Sequence, residues 1–224
     1  MTFQLFDTTN KPQLIRRAVI VVLSVLLAVL FVSRACTNAK VMAFEYREGD
    51  MIFQSLPRGE LVDAIEGATK SAWSHCGVIM REDGKWVVYE ALGNVHHTPL
   101  TDWARRGRGG TFEIYRLKPG NTFDAENLRE ALKFYWGKPY DFHYHPSDAA
   151  IYCSELIYKA YDRAAGIKIG EWQTLGSLKW KPFETLILSI EPGGVPTDRL
   201  MITPVAMTRS KIVERVHAHG GTKE

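Results

Sequence analysis

The apolar positions change period several times along the 224 residues, and each change marks a different element. Ala18 to Val32 is an unbroken apolar run except for Ser24, with Lys11, Arg16 and Arg17 before it. As a helix rising about 1.5 Å per residue it spans roughly 22 Å, short of a hydrocarbon core of about 30 Å. That length suits a signal-peptide core or a short anchor, and residues 33–47 read as a leader or linker behind it. Leu61, Ala64, Ile65 and Ala68 then recur at helical spacing within residues 60–70. His75–Met80 and Trp86–Ala91 read as strands joined by Glu82-Asp83-Gly84, an Asp-Gly hairpin signal. Val95–Thr98 and Phe112–Leu117 follow as strands, with a short helical turn over Pro99–Arg105 between them. Asp124–Tyr135 reads as a helix, capped by Thr122 or Asp124 and stopped by Gly137 and Pro139. The strongest helical signal is Cys153–Ala165. Leu156, Ile157, Ala160, Tyr161 and Ala164 form one apolar stripe, and Gly166 supplies the stop. Beyond residue 166 the periodicity weakens. Leu186–Ile190 and Met201–Ile202 read as strands and Ser210–Val216 as a helix, around a loop at Pro192-Gly193-Gly194.

These elements divide the chain into an N-terminal signal or anchor segment, residues 1–44, and one domain, residues 45–224. About 180 residues suffice for a single domain with a real core. The net charge of +3 belongs mostly to the first segment. Five of the 28 Lys and Arg and one of the 25 Asp and Glu lie in residues 1–44, so the domain holds 23 basic and 24 acidic residues. No basic stripe argues for nucleic acid. Positive charge ahead of an apolar run stays on the cytoplasmic side, which sends the domain to the periplasm or cell envelope. Residues 18–32 are then the inner-membrane anchor, unless cleavage occurs before Cys36, where Ser33-Arg34-Ala35 offers small residues.

Two cysteines fall in the domain, Cys76 and Cys153. Cys153 opens the best helix, and the partial positive charge of a helix N-terminus favours thiolate over thiol. A histidine that takes the thiol proton and returns it to a leaving group completes a nucleophilic pair, and His75 is the candidate. If the His75 side chain faces the site, alternation along the strand turns Cys76 away from it, as a small buried hydrophobe. A disulfide between the two would block such chemistry in an oxidising compartment. Glu90 ends the strand paired with that of His75 and can accept the imidazole N–H, with Asp50 and Asp141 as substitutes. Tyr140 and Gln54 are candidate oxyanion or substrate donors, beside the backbone N–H of Cys153. His96, His97, His143 and His145 raise a zinc alternative. No H-E-x-x-H or paired C-x-x-C spacing supports it, so no metal and no cofactor is expected. Arg105, Arg106 and Arg108 read as a solvated loop or as contacts to anionic headgroups.

Three blocks of residues resemble the permuted NlpC-type, papain-like amidases of the YiiX/YaeF family. They are Gly49-Asp50-Met51-Ile52-Phe53-Gln54; Ser74-His75 through Val88-Tyr89-Glu90-Ala91 to Thr98-Pro99-Leu100 and Trp103; and Gly137-Lys138-Pro139-Tyr140-Asp141-Phe142 with Tyr152-Cys153-Ser154-Glu155. In papain-like proteases the cysteine precedes the histidine, and here the order is reversed. Cys76 departs from the pattern, which carries an aliphatic or small residue there. The resemblance implies an α+β fold of circularly permuted papain-like (NlpC-type) topology, an antiparallel sheet or partial barrel packed on the nucleophile helix. It implies a cysteine amidase acting through an acyl-enzyme, with catalytic Cys153, His75 and Glu90. Given export, the expected substrate is a cell-envelope peptide or amino-acyl amide, with peptidoglycan in view. One alternative is a lipid acyltransferase or thioesterase using the same site, for which a long apolar groove would speak. Another is a non-catalytic envelope binding module.

Overall fold

The computed structural model describes residues 11–220, without the side chains of residues 11–14 and 36. The chain divides into two units, residues 1–44 and 45–224. The first contains helix α1, Lys11–Met42. It runs on through the stretch expected as a linker, because no proline or glycine interrupts it. Its Ile15–Met42 portion is long and apolar enough to cross a membrane, a property that N-terminal signal sequences share. The Cys36 side chain lies outside the described residues, and with it the cleavage reading.

The second unit is a mixed α and β architecture built on an antiparallel sheet. Its strands are β1 (Met51–Gln54), β2 (His75–Glu82), β3 (Lys85–Leu92), β4 (Asn94–Pro99), β5 (Phe112–Leu117) and β8 (Val213–His219), in the order β4-β3-β2-β1-β5-β8. Two further short strands, β6 (Gln173–Thr174) and β7 (Leu200–Met201), pair with each other. The helices are α2 (Glu60–Thr69), α3 (Leu100–Arg106), α4 (Ala125–Phe134), α5 (Cys153–Ala165), α6 (Glu184–Ile190) and α7 (Pro204–Thr208).

Period-2 alternation gives the sheet two buried faces. Met51, Phe53, Cys76, Val78, Met80, Val87, Tyr89 and Ala91 share one core with Leu128 and Leu132 of α4 and Leu156, Ile157, Ala160 and Tyr161 of α5. The opposite face carries Ile52, Ile79, Val88 and Ile114, all fully buried. There α3 packs on β3 and β4 and buries Leu100 and Trp103. Helix α5 ends at Gly166, whose left-handed φ of 68° suits a residue without Cβ. Asp124 caps α4 by accepting a 2.9 Å bond from the Asn127 backbone N–H.

The C-terminal quarter departs most from the sequence reading. Leu186–Ile190 belongs to a helix, not a strand, because a short apolar run fits either period. The segment expected as a helix over Ser210–Val216 instead turns and forms β8, antiparallel to β5. The open edge of β5 supplies hydrogen-bond partners that local propensity does not register.

Candidate active site

The first residue of β2 and the first residue of α5 meet at one end of the sheet. Gln54 pairs with His75 in the β1–β2 register. Gly77 keeps β2 and β3 close beyond that point. A methyl group there would lie 2.6 Å from the Tyr89 carbonyl oxygen, so His75 and Glu90 share a tight interstrand space. His75 Nε2 lies 2.5 Å from Glu90 Oε2, and both side chains are essentially without solvent exposure. With Nε2 so engaged, Nδ1 is the ring nitrogen left to face Cys153, and each group shifts the other's pKa.

Glu90 is held from several directions. Trp103 Nε1 donates to Oε2 at 2.9 Å and Thr98 Oγ1 donates to Oε1 at 2.6 Å. The Arg106 guanidinium also bonds Oε2, and His96 Nε2 stands 3.5 Å from Oε1. Trp103 further stacks on the His75 ring, centroids 5.8 Å apart. Burial alone would raise the Glu90 carboxyl, but bonds to His75, the His75 charge and Arg106 bring it down to about 2. Burial likewise opposes charge on His75, yet hydrogen bonds to Cys153 and Glu90 and their charges push it up to about 9. The Cys153 thiol is held well below the usual thiol range. The hydrogen bond from the Cys76 thiol lowers it most, burial opposes this, and His75 adds a bond and a charge. The set amounts to a thiolate–imidazolium pair backed by an ionised carboxylate.

Helix α5 opens at Tyr152, in extended conformation and without a side-chain cap, so its first N–H groups have no partner within the helix. Tyr140 stands beside them. Its hydroxyl is 3.5 Å from that of Tyr144, and burial, reinforced by charges at Tyr144 and Cys153, keeps the phenol protonated. Asp141 holds this loop by accepting the backbone N–H groups of His143 at 2.8 Å and His145 at 2.5 Å. Asp50 pairs with Arg116 at 2.6 Å. Neither aspartate takes the place of Glu90. Gln54 is fully buried, with both amide atoms unpartnered among the described residues. Its Oε1 abuts Gly107 rather than either groove described below.

Several placements bear on the sequence reading. Cys76 points to the face opposite His75 and is fully buried there as a small core residue, on the face that α5 packs against. The three arginines of the 105–108 run are paired: Arg105 with Asp102, Arg106 with Glu90 and Arg108 with Glu66. The four histidines of the zinc alternative do not form one cluster: His143 pairs with Glu191 at 2.9 Å and lies beside His145, while His97 packs on Trp136. Arg106, Trp103 and Thr98 are members of the Glu90 network that sequence reasoning missed. Their spacing from Glu90 carries no signal until α3 folds back over β3.

Two grooves meet at Tyr140 and Phe142. The larger contains Cys153 and is walled by apolar residues of α2 and of residues 175–204, among them Leu61, Ile65, Phe183, Leu186 and Ile187. It encloses about 860 Å³ counted out to open solvent. The smaller contains His75, with Leu56, Val62 and Leu92. The C-terminal wall is anchored on α5. Ser154 Oγ donates to the Ile202 carbonyl at 2.8 Å, and the Ile202 N–H donates to the Tyr152 hydroxyl at 2.9 Å.

Residues 45–217 match the family model described as permuted papain-like amidase enzyme, YaeF/YiiX, C92 family. The chain belongs to this family. It is 35% identical over 147 residues to the uncharacterized protein YiiX of Escherichia coli (strain K12), a match covering 65% of this chain and 72% of that one. The crystal structure of a protein titled metalloprotein yiiX, from Escherichia coli O157:H7, superimposes with a TM-score of 0.73 at 32% identity. That match covers 78% of this chain and 98% of the other. Family membership accounts for the order of the motifs: histidine and glutamate strands come first and the cysteine helix after them, as expected of a permuted papain-like chain.

Proposed function

We propose that this protein is a cysteine-dependent hydrolase that cleaves an amide bond through an acyl-enzyme. The observation that carries the reading is the buried His75–Glu90 pair, 2.5 Å apart, with Cys153 at the start of α5 lining a groove. Cys153 thiolate attacks the carbonyl carbon. The Cys153 backbone N–H and the Tyr140 hydroxyl receive the oxyanion. His75 gives its proton to the departing amine, which leaves through the smaller groove that His75 lines. It then takes a proton from the water that attacks the thioester, and Cys153 leaves as thiolate. Glu90 holds the imidazole in orientation and stabilises its charge. Trp103, Arg106 and Thr98 position Glu90.

The YiiX structure is titled a metalloprotein. Among the described residues here no three His, Cys, Asp or Glu side chains are grouped to hold a metal ion. The donor set does not fit a metal site, and the proposed steps rest on the chain's own groups. The apolar run of α1, with Lys11, Arg16 and Arg17 ahead of Ala18, supports a substrate at the cell envelope.

Site-resolved alkylation with iodoacetamide tests the thiol directly. Cys153 should label fast well below pH 8, and His75→Ala should slow it. Labelling at an ordinary thiol pKa in both proteins would leave the non-catalytic binding module as the better reading.

The larger groove favours a second reading on the acyl side. Its walls are mostly aliphatic and aromatic, with His143, Glu191 and Arg199 among the polar lining residues; the apolar part suits an acyl chain, in an amide or a lipid ester. Each methylene buried is worth about 0.8 kcal/mol, roughly fourfold in kcat/KM. Across p-nitrophenyl esters of increasing length, kcat/KM should rise until the groove is filled. A flat profile, with preference for amino-acyl amides, would favour the peptide reading.

A further inference from the structure

Two free, buried cysteines belong to one core at the site, and the proposed reaction needs only one of them. Cys76 points to the face of β2 on which α5 packs, and it shares one core with Cys153 at the start of that helix. Cys76 is fixed within β2, whose neighbours β1 and β3 pair with it on either side, and its side chain is fully buried in the core shared with α5. Access differs sharply between the two sulfurs. Cys153 lines the larger groove, whereas Cys76 lines neither groove. A small oxidant therefore meets Cys153 first, and Cys76 reacts only with whatever Cys153 has become. Burial holds the Cys76 thiol protonated, so it does not compete for electrophiles entering the groove.

We propose that Cys76 is a resolving thiol for Cys153, so that oxidation of Cys153 by hydrogen peroxide is captured as a reversible Cys76–Cys153 disulfide. This rests on the reading of Cys153 as a reactive thiol. In the first step the Cys153 thiolate attacks one peroxide oxygen and the O–O bond breaks. Cys153 becomes a sulfenic acid, peroxide is reduced, and the released hydroxide takes a proton and leaves as water. In the second step the Cys76 sulfur attacks the Cys153 sulfur and the S–O bond breaks. The departing hydroxide carries off the Cys76 proton as a second water. The sulfurs close to about 2.05 Å. Movement at the first residue of α5 suffices, because helix ends are where local distortion costs least. The product removes the thiolate from its place beside His75. It also spares Cys153 the irreversible climb to sulfinic and sulfonic acids.

The test uses the full-length protein, exposed to hydrogen peroxide, alkylated with iodoacetamide and digested without reduction for mass spectrometry. The expected result is a linked peptide pair joining Cys76 to Cys153, short of two hydrogens and abolished by dithiothreitol. In Cys76→Val, or in Cys76→Ser if the valine variant does not fold, the same exposure should place two or three oxygens on Cys153 that dithiothreitol does not remove. In the wild type, higher oxides on Cys153 beside an alkylated Cys76, a link from Cys153 to Cys36 instead, or no change at Cys153 would each overturn the proposal. These readouts are independent of turnover. A disulfide in a protein without hydrolase activity would sustain this inference and remove the proposed function. Hydrolysis without a disulfide would do the reverse.

Discussion

Cys153→Ala is expected to lower amide or ester hydrolysis by roughly four to six orders of magnitude, to the level that binding and oxyanion stabilisation alone support. The thiolate is the only group in the proposed sequence that forms a bond to substrate carbon. His75 and Tyr140 can polarise but not replace it. The fold should survive, since the exchange removes one sulfur from a residue whose backbone remains the start of α5. Substrate should still bind, because the groove walls come from α2 and residues 175–204. Single-turnover kinetics with an acyl ester, beside a binding isotherm for its non-hydrolysable analogue, would separate the two effects. Activity within tenfold of wild type would place the nucleophile elsewhere and remove the proposed mechanism.

Glu90→Gln is expected to carry the second largest effect, a fall in kcat/KM of about a thousandfold to ten-thousandfold with little change in substrate binding. Glutamine keeps the volume but loses the charge facing the imidazolium, and its amide leaves the Arg106 guanidinium without an anion. The pH dependence separates this role from mere packing. Activity requires protonated His75 beside thiolate, so in the wild type it should decline as pH rises through about 9. In the variant that decline should begin at lower pH. Stability should follow the same groups. Glu90 is lowered from 4.5 to about 2, so its contribution is full above 4.5 and disappears as pH falls toward 2. His75 is raised from 6.5 to about 9, so its contribution is full below 6.5 and disappears as pH rises through 9. Urea unfolding of the wild type should therefore lose resistance as pH falls below 4.5, and Glu90→Gln should flatten that slope; toward alkaline pH the lowered Cys153 thiol offsets the raised His75. An unchanged alkaline limb would show that Glu90 is not the ionic partner of His75.

Most of the strands and the three longest domain helices follow from local pattern. The Asp-Gly turn between β2 and β3 and the stripe from Leu156 to Ala164 work through interactions a few residues apart, which a linear reading can follow. Leu186–Ile190 and Ser210–Val216 were misread for the opposite reason. Their conformations depend on a groove wall and an open sheet edge formed by residues tens of positions away. The same division runs through the site. His75, Glu90, Tyr140 and Cys153 carry chemistry in their side chains and sit in recognisable motifs. Trp103, Arg106 and Thr98 matter only because α3 and β4 fold over β3, bringing their polar atoms onto one buried carboxylate.

Residue order and side-chain chemistry thus establish the family, the reversed placement of histidine and cysteine, and the opening of a helix at Cys153. These depend on identity and spacing along the chain. The shared core of Cys76 and Cys153, the pairing of all three arginines and the apolar wall opposite Cys153 come from the assembled molecule. Strand alternation specifies which face a side chain takes but not what packs against it. The seat of α5 beyond the end of β2 is set by the core it shares with Val78, Met80 and Tyr89, a packing solution that no local stretch of chain encodes.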